Sequence, residues 1–437
     1  MARKIQDNFS FKEMDFTLAG LKNLSSIYKV ASKLGYKNNA LNEVPGKLSE
    51  MEKQFIQLKE TPDEFNSFFA KSGWIAYESM NFTTMLKAVD LAKNHKKDEA
   101  EQVLIDYYNE DTIRSSLVRL KGIEEYRTRV NLTYNALDDF LSERYYACIP
   151  VILMMIDGFV NDFEQKGFFA TNVDLSVWDT IAAHSSGLNQ LACIFGKSRK
   201  KTTNKEIELP YRNGILHGRD LGYGNKVVAT KCWAALFAIG DWARAIKEGK
   251  KGGDKEFEPP TIEESMASLV DSIKSLAENE KYKKAIEKWQ PRKVIMGIDI
   301  PEKGDVEKYS INSPERTLVE FFEYMGKNNY GEMAQYITRI CPTTDSIGKV
   351  AKEIRTIFKG KKLIDFKIKN IMDQAPAISE IDSVITFTIG ENTIEYRHTF
   401  RLIYQDDRCN SYIRGDSNGE WRILWDFYQI EFLSDNS

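Results

Sequence analysis

Arg212, Asn213 and His217, in the run RNGILHG from Arg212 to Gly218, are the residues whose types and spacing best suit chemistry. Histidine moves protons near neutral pH, and arginine stabilises negative charge growing on a phosphate, so the pair suits phosphoryl chemistry. The amide beside the arginine adds a hydrogen-bonding group. Pro210 pushes the residue before it out of the α region and is itself welcome in a first helical turn. A short helix starting there ends at Gly218, a natural left-handed cap. On it Asn213 and His217, four apart, share a face, while Arg212 stands about 140° round from His217 at ~100° per residue. The arginine must reach round from the first turn.

Strong helical patterns on both sides position this run. Upstream, residues 135–165 carry a wide apolar stripe of Ala136, Phe140, Tyr145, Cys148, Ile149, Ile152, Met155, Ile156 and Phe159, which predicts one central buried helix bent at Pro150. Asp157 lies in its most apolar part, where an unpaired carboxylate costs several kcal/mol; it needs a partner, and an arginine is the natural one. A further helix is predicted from Asp174 or Ser176 to Phe195, with Trp178, Ile181, Leu188, Leu191, Ile194 and Phe195. The loop GKSRKKTTNK then concentrates Lys197, Arg199, Lys200, Lys201 and Lys205 just before the motif. Beyond it, Asn225 caps a helix with Val228, Cys232, Ala235, Leu236, Ile239, Trp242 and Ile246 on one stripe.

The rest of the chain divides around this bundle. Residues 1–134 read as a helical N-terminal region with Asn81 as one cap, and KAVDLAKNHKKDEAEQVLIDYY as a helical hairpin. GKKGGDKEFEPP, residues 249–260, reads as a linker, followed by a polar-faced helix over 261–289; together 249–311 form a connecting segment. In residues 312–437, Ser313 and Pro314 start a helix, Ile347 to Phe358 supply another, and the hydrophobic period then becomes two along four strands ending at Trp421–Phe427. Helices followed by such strands predict an α+β domain with a curved antiparallel sheet, and a mainly α chain as a whole.

At 437 residues the chain exceeds the size at which one core stops growing, and 42% hydrophobic residues suffice to fill more than one. A net charge of −3 gives no global attraction to nucleic acid or anionic lipid, so any nucleic-acid contact must be local. Five scattered cysteines without C-x-x-C spacing argue for a reduced compartment and against a disulfide or zinc framework. The first residues carry no apolar secretory core, and the apolar run Ala147 to Ile156 is too short to span a bilayer. The expectation is a cytoplasmic protein with no membrane, metal or cofactor.

RNGILHG, between the apolar helix RYYACIPVILMMIDGFVNDFE and the helix NKVVATKCWAALFAIGDWARAI, resembles the HEPN superfamily of helical domains over residues 135–248. The resemblance implies a metal-independent ribonuclease acting as a homodimer, with two motifs at one composite site. Arg212 and His217 are then the implied catalytic residues, Asn213 their polar neighbour, and Asp157 the acidic residue that orients the arginine; Gly218 and Arg219 extend the family-like run. Cleavage by RNA's own 2′-hydroxyl needs only a proton-transfer group and a cation, which histidine and arginine supply. Lys197, Arg199, Lys200, Lys201, Lys205 and Arg219 would hold the RNA backbone through its phosphates. The last 125 residues or so resemble the cystatin-like fold of the nuclear-transport-factor-two superfamily, through helices followed by a sheet ending in GEWRILWDF.

Two functions of different class fit these residues. One is a HEPN-type endoribonuclease, toxin-like, acting in growth arrest or antiphage defence. The other is a non-catalytic HEPN dimerisation module whose C-terminal domain binds a ligand or protein partner. A third, a small-ligand pocket in the C-terminal sheet with its own activity, is disfavoured because His398 has no second histidine or acidic pair in sequence around it. Each residue also has a plainer role: an Arg and a His at this spacing occur by chance, a lysine run is usually a solvated loop, and His398 among strand aromatics is usually a satisfied core residue. His95 reads as surface and His184 as part of a bundle helix. One motif copy offers one proton-transfer group, so an acid and base pair most simply comes from two chains, and a monomer should be inactive.

Overall fold

The computed structural model describes residues 4–33, 44–253, 255–261, 282–283, 285–338 and 346–433. The chain forms two compact units, 1–275 and 276–437; helices dominate the first, and the second holds a five-stranded sheet. Residues 1–134 and the bundle 135–248 both lie in the first unit.

The first unit comprises α1 (Phe9–Lys33), α2 (Val44–Phe69), α3 (Phe82–Lys93), α4 (Lys97–Tyr107), α5 (Glu110–Lys121), α6 (Val130–Leu141), α7 (Tyr145–Glu164), α8 (Leu188–Phe195), α9 (Arg212–Leu216) and α10 (Lys226–Lys247). α10 is its axis. Apolar residues stand on all sides of it, and it is buried from Val228 through Ala243 against α7, α5, α4 and α8, with Lys231 and Asp241 among the buried residues. Trp233 meets Phe140 edge-on at 6.3 Å, Trp242 meets Phe163 at 5.5 Å, and Phe237 stacks on Tyr108 at 6.4 Å. Truncating either buried tryptophan to alanine should cost about 3–5 kcal/mol. Asn225 caps α10 by accepting from the Val228 N–H at 2.9 Å, and Asn81 caps α3 in the same way through Thr84.

α7 is long and apolar enough to cross a membrane by length and composition, more so than the short run Ala147–Ile156 suggests. Its apolar residues Cys148, Ile149, Ile152, Leu153, Met155, Ile156, Phe159 and Val160 are nevertheless buried within the unit, against α6 and α10. The single helix predicted over 135–165 is two, because the chain breaks at Ser142–Arg144, where Glu143 is left-handed at φ 57°. Pro150 stays inside α7: the Tyr146 carbonyl that would have taken its missing N–H accepts from the Tyr223 hydroxyl instead, at 3.2 Å.

The helix predicted from Asp174 starts only at Leu188. Backbone groups that a helix would pair internally have other partners: Ser176 N–H bonds the Asp174 carboxylate, Trp178 N–H the Lys250 carbonyl, and Ile181 N–H the Glu78 carboxylate, while Thr180 O accepts from Asn8. His184 therefore sits in a turn, bonded to Ser186 Oγ at 2.8 Å, and not on a bundle helix. The same contacts tie the expected linker into the first unit, since Val177 bridges to Lys251 and Phe257 packs on Phe9 and Phe16. Most of the polar-faced helix predicted over 261–289 lies outside the described residues.

The second unit contains α11 (Pro314–Gly326), α12 (Tyr330–Gln335), β3 (Ile337–Thr338), α13 (Ile347–Ile357), β4 (Lys361–Ala375), β5 (Ile378–Ile389), β6 (Asn392–Gln405) and β7 (Glu420–Leu424). Ser313 caps α11 with Pro314 at its first position, as the sequence predicts. The sheet runs β3-β7-β6-β5-β4 and is mixed, which corrects the expected antiparallel one: each neighbouring pair from β4 to β7 is antiparallel, but β3 joins β7 in parallel. Two residues leaving α12 suffice for that pairing, through Ile423 N–H to Tyr336 O and Trp425 N–H to Thr338 O. Phe322 of α11 packs on Phe366 and Phe400 of the sheet's inner face. His398, on that face, is bonded to Asp426 at 3.4 Å.

Candidate functional site

A small strand–helix–strand unit carries the motif. β1 (Thr203–Glu206) and β2 (Asp220–Gly222) run parallel with α9 between them, joined by Thr203 N–H to Arg219 O at 2.7 Å and Ile207 N–H to Gly222 O at 3.1 Å. Asp220 is fully buried and pairs with Arg199 at 2.9 Å, and the Arg199 guanidinium lies 4.5 Å from the Tyr211 ring. Gly214 is required here, since a Cβ would stand 1.9 Å from the Asp220 carboxylate. Arg199, expected to hold RNA with its neighbours, thus clamps α9 onto β2.

A second anchor comes from the core. Lys231 of α10, 1% exposed, donates to the Glu208 carbonyl at 2.9 Å and pairs with Glu101 of α4 at 2.7 Å. Burial lowers its pKa, against the pull of Glu101. The chain is therefore pinned at Glu208, two residues before Pro210 and four before Arg212. Nothing in the sequence flags Lys231 except its place within the apolar stretch from Val227 to Gly240.

Arg212 opens α9, and its side chain does reach round from the first turn to α7. Its Nη2 donates to Asp157 Oδ2 at 2.9 Å and its Nη1 to Asn213 Oδ1 at 3.0 Å, with the guanidinium 5.6 Å from the Phe169 ring. The arginine partner expected for Asp157 is Arg212. Asp157 Oδ1 accepts the Phe169 N–H at 3.3 Å, and Gly167 must lack a side chain because a Cβ there would lie 2.1 Å from that oxygen. Asn213 in turn donates to the Gly196 carbonyl, 2.7 Å away at the end of α8. One side of the guanidinium is thereby fixed by three helices.

His217 closes α9 as its C-cap, followed by Gly218 at φ +64°, so the chain turns out of the helix at the histidine. Its imidazole is exposed and has no hydrogen-bond partner among the described residues. The site thus joins a pre-oriented arginine to an uncommitted histidine on one short helix. That pair can stabilise charge on a phosphate and move one proton.

Lys197, Lys200, Lys201, Lys205 and Arg219 are exposed around this unit, and Lys205 lies on β1, which the sequence reads as loop. Among the described residues no group of three or more His, Cys, Asp or Glu side chains is arranged to hold a metal ion. No protein-family model matches the chain, and no curated protein matches it.

Proposed function

We propose that this chain is a HEPN-type endoribonuclease that cleaves RNA through its own 2′-hydroxyl, acting as a homodimer in the cytoplasm in growth arrest or antiphage defence. The 2′-oxygen attacks the adjacent phosphorus, the P–O5′ bond breaks, and a 2′,3′-cyclic phosphate and a 5′-hydroxyl result. Arg212, steadied by Asp157 and Asn213, neutralises charge on the phosphate. His217 takes the 2′ proton or delivers one to the leaving oxygen, and the partner copy's histidine does the other. The carrying observation is the Asp157–Arg212–Asn213 network beside a solvent-facing, unbonded His217 on the same helix. Lys197, Lys200, Lys201, Lys205 and Arg219 supply phosphate contacts.

The competing function is a non-catalytic dimerisation module whose cystatin-like C-terminal unit binds a ligand or partner. It is favoured by the hydrogen bond from Asn213 to Gly196, which also gives the network a purely structural use in closing α8 onto α9. Incubating purified wild type, Arg212→Ala and His217→Ala with labelled RNA in excess EDTA separates the two. Ribonuclease function requires cleavage by wild type alone, with both variants folded and dimeric. If all three proteins are equally inert on diverse RNAs, the module takes its place.

A further inference from the structure

His398 gains from the fold the buried acidic partner that its sequence neighbourhood does not show. β7 pairs with β6 only along Leu402–Gln405, so among the described residues the half of β6 from Asn392 to Arg401 has no strand on that side. The chain leaving β7 comes back over that half and sets Asp426 against His398 at 3.4 Å, although 28 residues separate them. On the other side, β5 places Ser383 opposite His398 in register, so the two side chains share a face with Cβ atoms about 5 Å apart. All three side chains are more than nine-tenths buried: His398 and Asp426 are each 8% exposed and Ser383 is 2% exposed. Buried polar groups are nearly always paired, and these are not. Ser383 Oγ is sealed from solvent and bonded to nothing, and among the described residues Asp426 accepts only from His398, whose Nδ1 has no partner.

Aromatic rings surround this cluster. Phe400 meets the His398 ring edge-on at 4.6 Å, Tyr396 lies nearly parallel to it at 5.9 Å, and Phe427 packs on Phe400 at 6.0 Å. Along the inner face of β6, burial falls from Phe400 through His398 to the half-buried Tyr396 and Ile394, so the cluster stands where the core meets the unpaired edge. With Asp426 accepting from Nε2–H, the neutral ring presents Nδ1 as an acceptor, and Ser383 presents a hydroxyl that donates. One hydroxyl satisfies both, donating to Nδ1 and accepting from Ser383 Oγ, whereas a carbonyl serves only the serine. An anion would be repelled by the Asp426 carboxylate across a poorly screened interior, and the rings suit a flat apolar body. We infer that Ser383, His398 and Asp426 form a binding site in the second unit for a small uncharged aromatic molecule bearing a hydroxyl group. The site goes beyond the ribonuclease function and does not rest on it.

The test titrates the full chain by ligand-observed NMR with p-cresol as the hydroxyl probe, toluene as the same body without the hydroxyl, and benzoate as an anion of similar size. p-Cresol should bind at least about fivefold more tightly than toluene, and benzoate should not bind measurably. Ser383→Ala should bring p-cresol down to the affinity of toluene, leave toluene unchanged and melt no lower than wild type, because the hydroxyl it removes is unbonded. Should that variant fail to fold, Ser383→Cys, which keeps the volume with a weaker donor, takes its place. In protein labelled on the imidazole nitrogens of its four histidines, p-cresol should move the signal that His398→Gln removes. Equal affinity for p-cresol and toluene overturns the site, as does p-cresol affinity unaltered by Ser383→Ala or a shift confined to the other histidines. Benzoate binding as tightly as p-cresol overturns the uncharged ligand, and no p-cresol binding up to its solubility limit overturns the whole. RNA cleavage enters none of these readings, so the site and the nuclease stand or fall separately.

Discussion

Asp157→Asn tests whether the carboxylate exists to place Arg212. The two side chains meet at 2.9 Å and are 25% and 27% exposed, so water screens the pair only in part. A hydrogen bond between charged partners contributes about 1.5–3 kcal/mol, and partial exposure brings this pair to about 1–2 kcal/mol. If the arginine acts on the phosphate, losing that placement slows cleavage by roughly 5- to 30-fold. The amide still offers an oxygen to Arg212, so Asp157→Asn belongs at the low end and Asp157→Ala at the high end. Gly167→Ala supplies a perturbation that removes no charge: its Cβ would fall 2.1 Å from Asp157 Oδ1 and must displace the carboxylate or the backbone. Single-turnover cleavage at saturating RNA, corrected for the folded fraction by thermal melting, is the assay. Lowered melting temperatures with wild-type cleavage rates in all three variants would refute the positioning role.

Three further outcomes follow from the same structure. Wild type allowed to exchange subunits with excess His217→Ala should lose cleavage as its homodimers disappear, because a mixed dimer holds only one histidine; mixed dimers shown by sedimentation that keep half the wild-type rate would contradict a composite site. Gly218→Ala forces a side chain into φ +64° with nothing within 4 Å to clash, so it should cost only about 1 kcal/mol of stability while shifting His217, and cleavage should fall more than melting temperature does. In the second unit, burial works against ionisation of Asp373, but hydrogen bonds from Arg292 and Ser379 and the charges of Arg292 and Arg414 outweigh it and hold the carboxyl at about 2. A depressed carboxylate stabilises the fold above its unfolded pKa, so about 2 kcal/mol should be lost as pH falls from about 4 through 2, and Asp373→Asn should flatten that part of the denaturation profile.

What could be read from the sequence was local. Asn81, Asn225, Ser313 and Gly218 carry their cap chemistry in their own side chains or in the lack of one, and each performs it. Asp157 could be read as half of a pair because a carboxylate amid Ile152, Met155, Ile156 and Phe159 needs a cation. The pair Lys231 and Glu101 could not, since 130 residues separate them and only the packing of α10 on α4 brings them together. β1 and β2, with the sequences TNKE and DLG, are too short for an alternating pattern, and β3 is two residues. Residues 174–187 have helical spacing, yet the partners of Trp178 N–H, Thr180 O and Ile181 N–H are Lys250, Asn8 and Glu78, all distant in sequence. Arg199 illustrates the same limit, because a basic run gives no sign of which cation a buried aspartate will claim.

The most direct measurement is the chemistry of the RNA ends left by the wild-type dimer in excess EDTA, read alongside His217→Ala. Arg212 and His217 acting on RNA's own hydroxyl predict 2′,3′-cyclic phosphate and 5′-hydroxyl ends from wild type and intact RNA from the folded variant. Identical products from both proteins, or 5′-phosphate ends, would contradict the account.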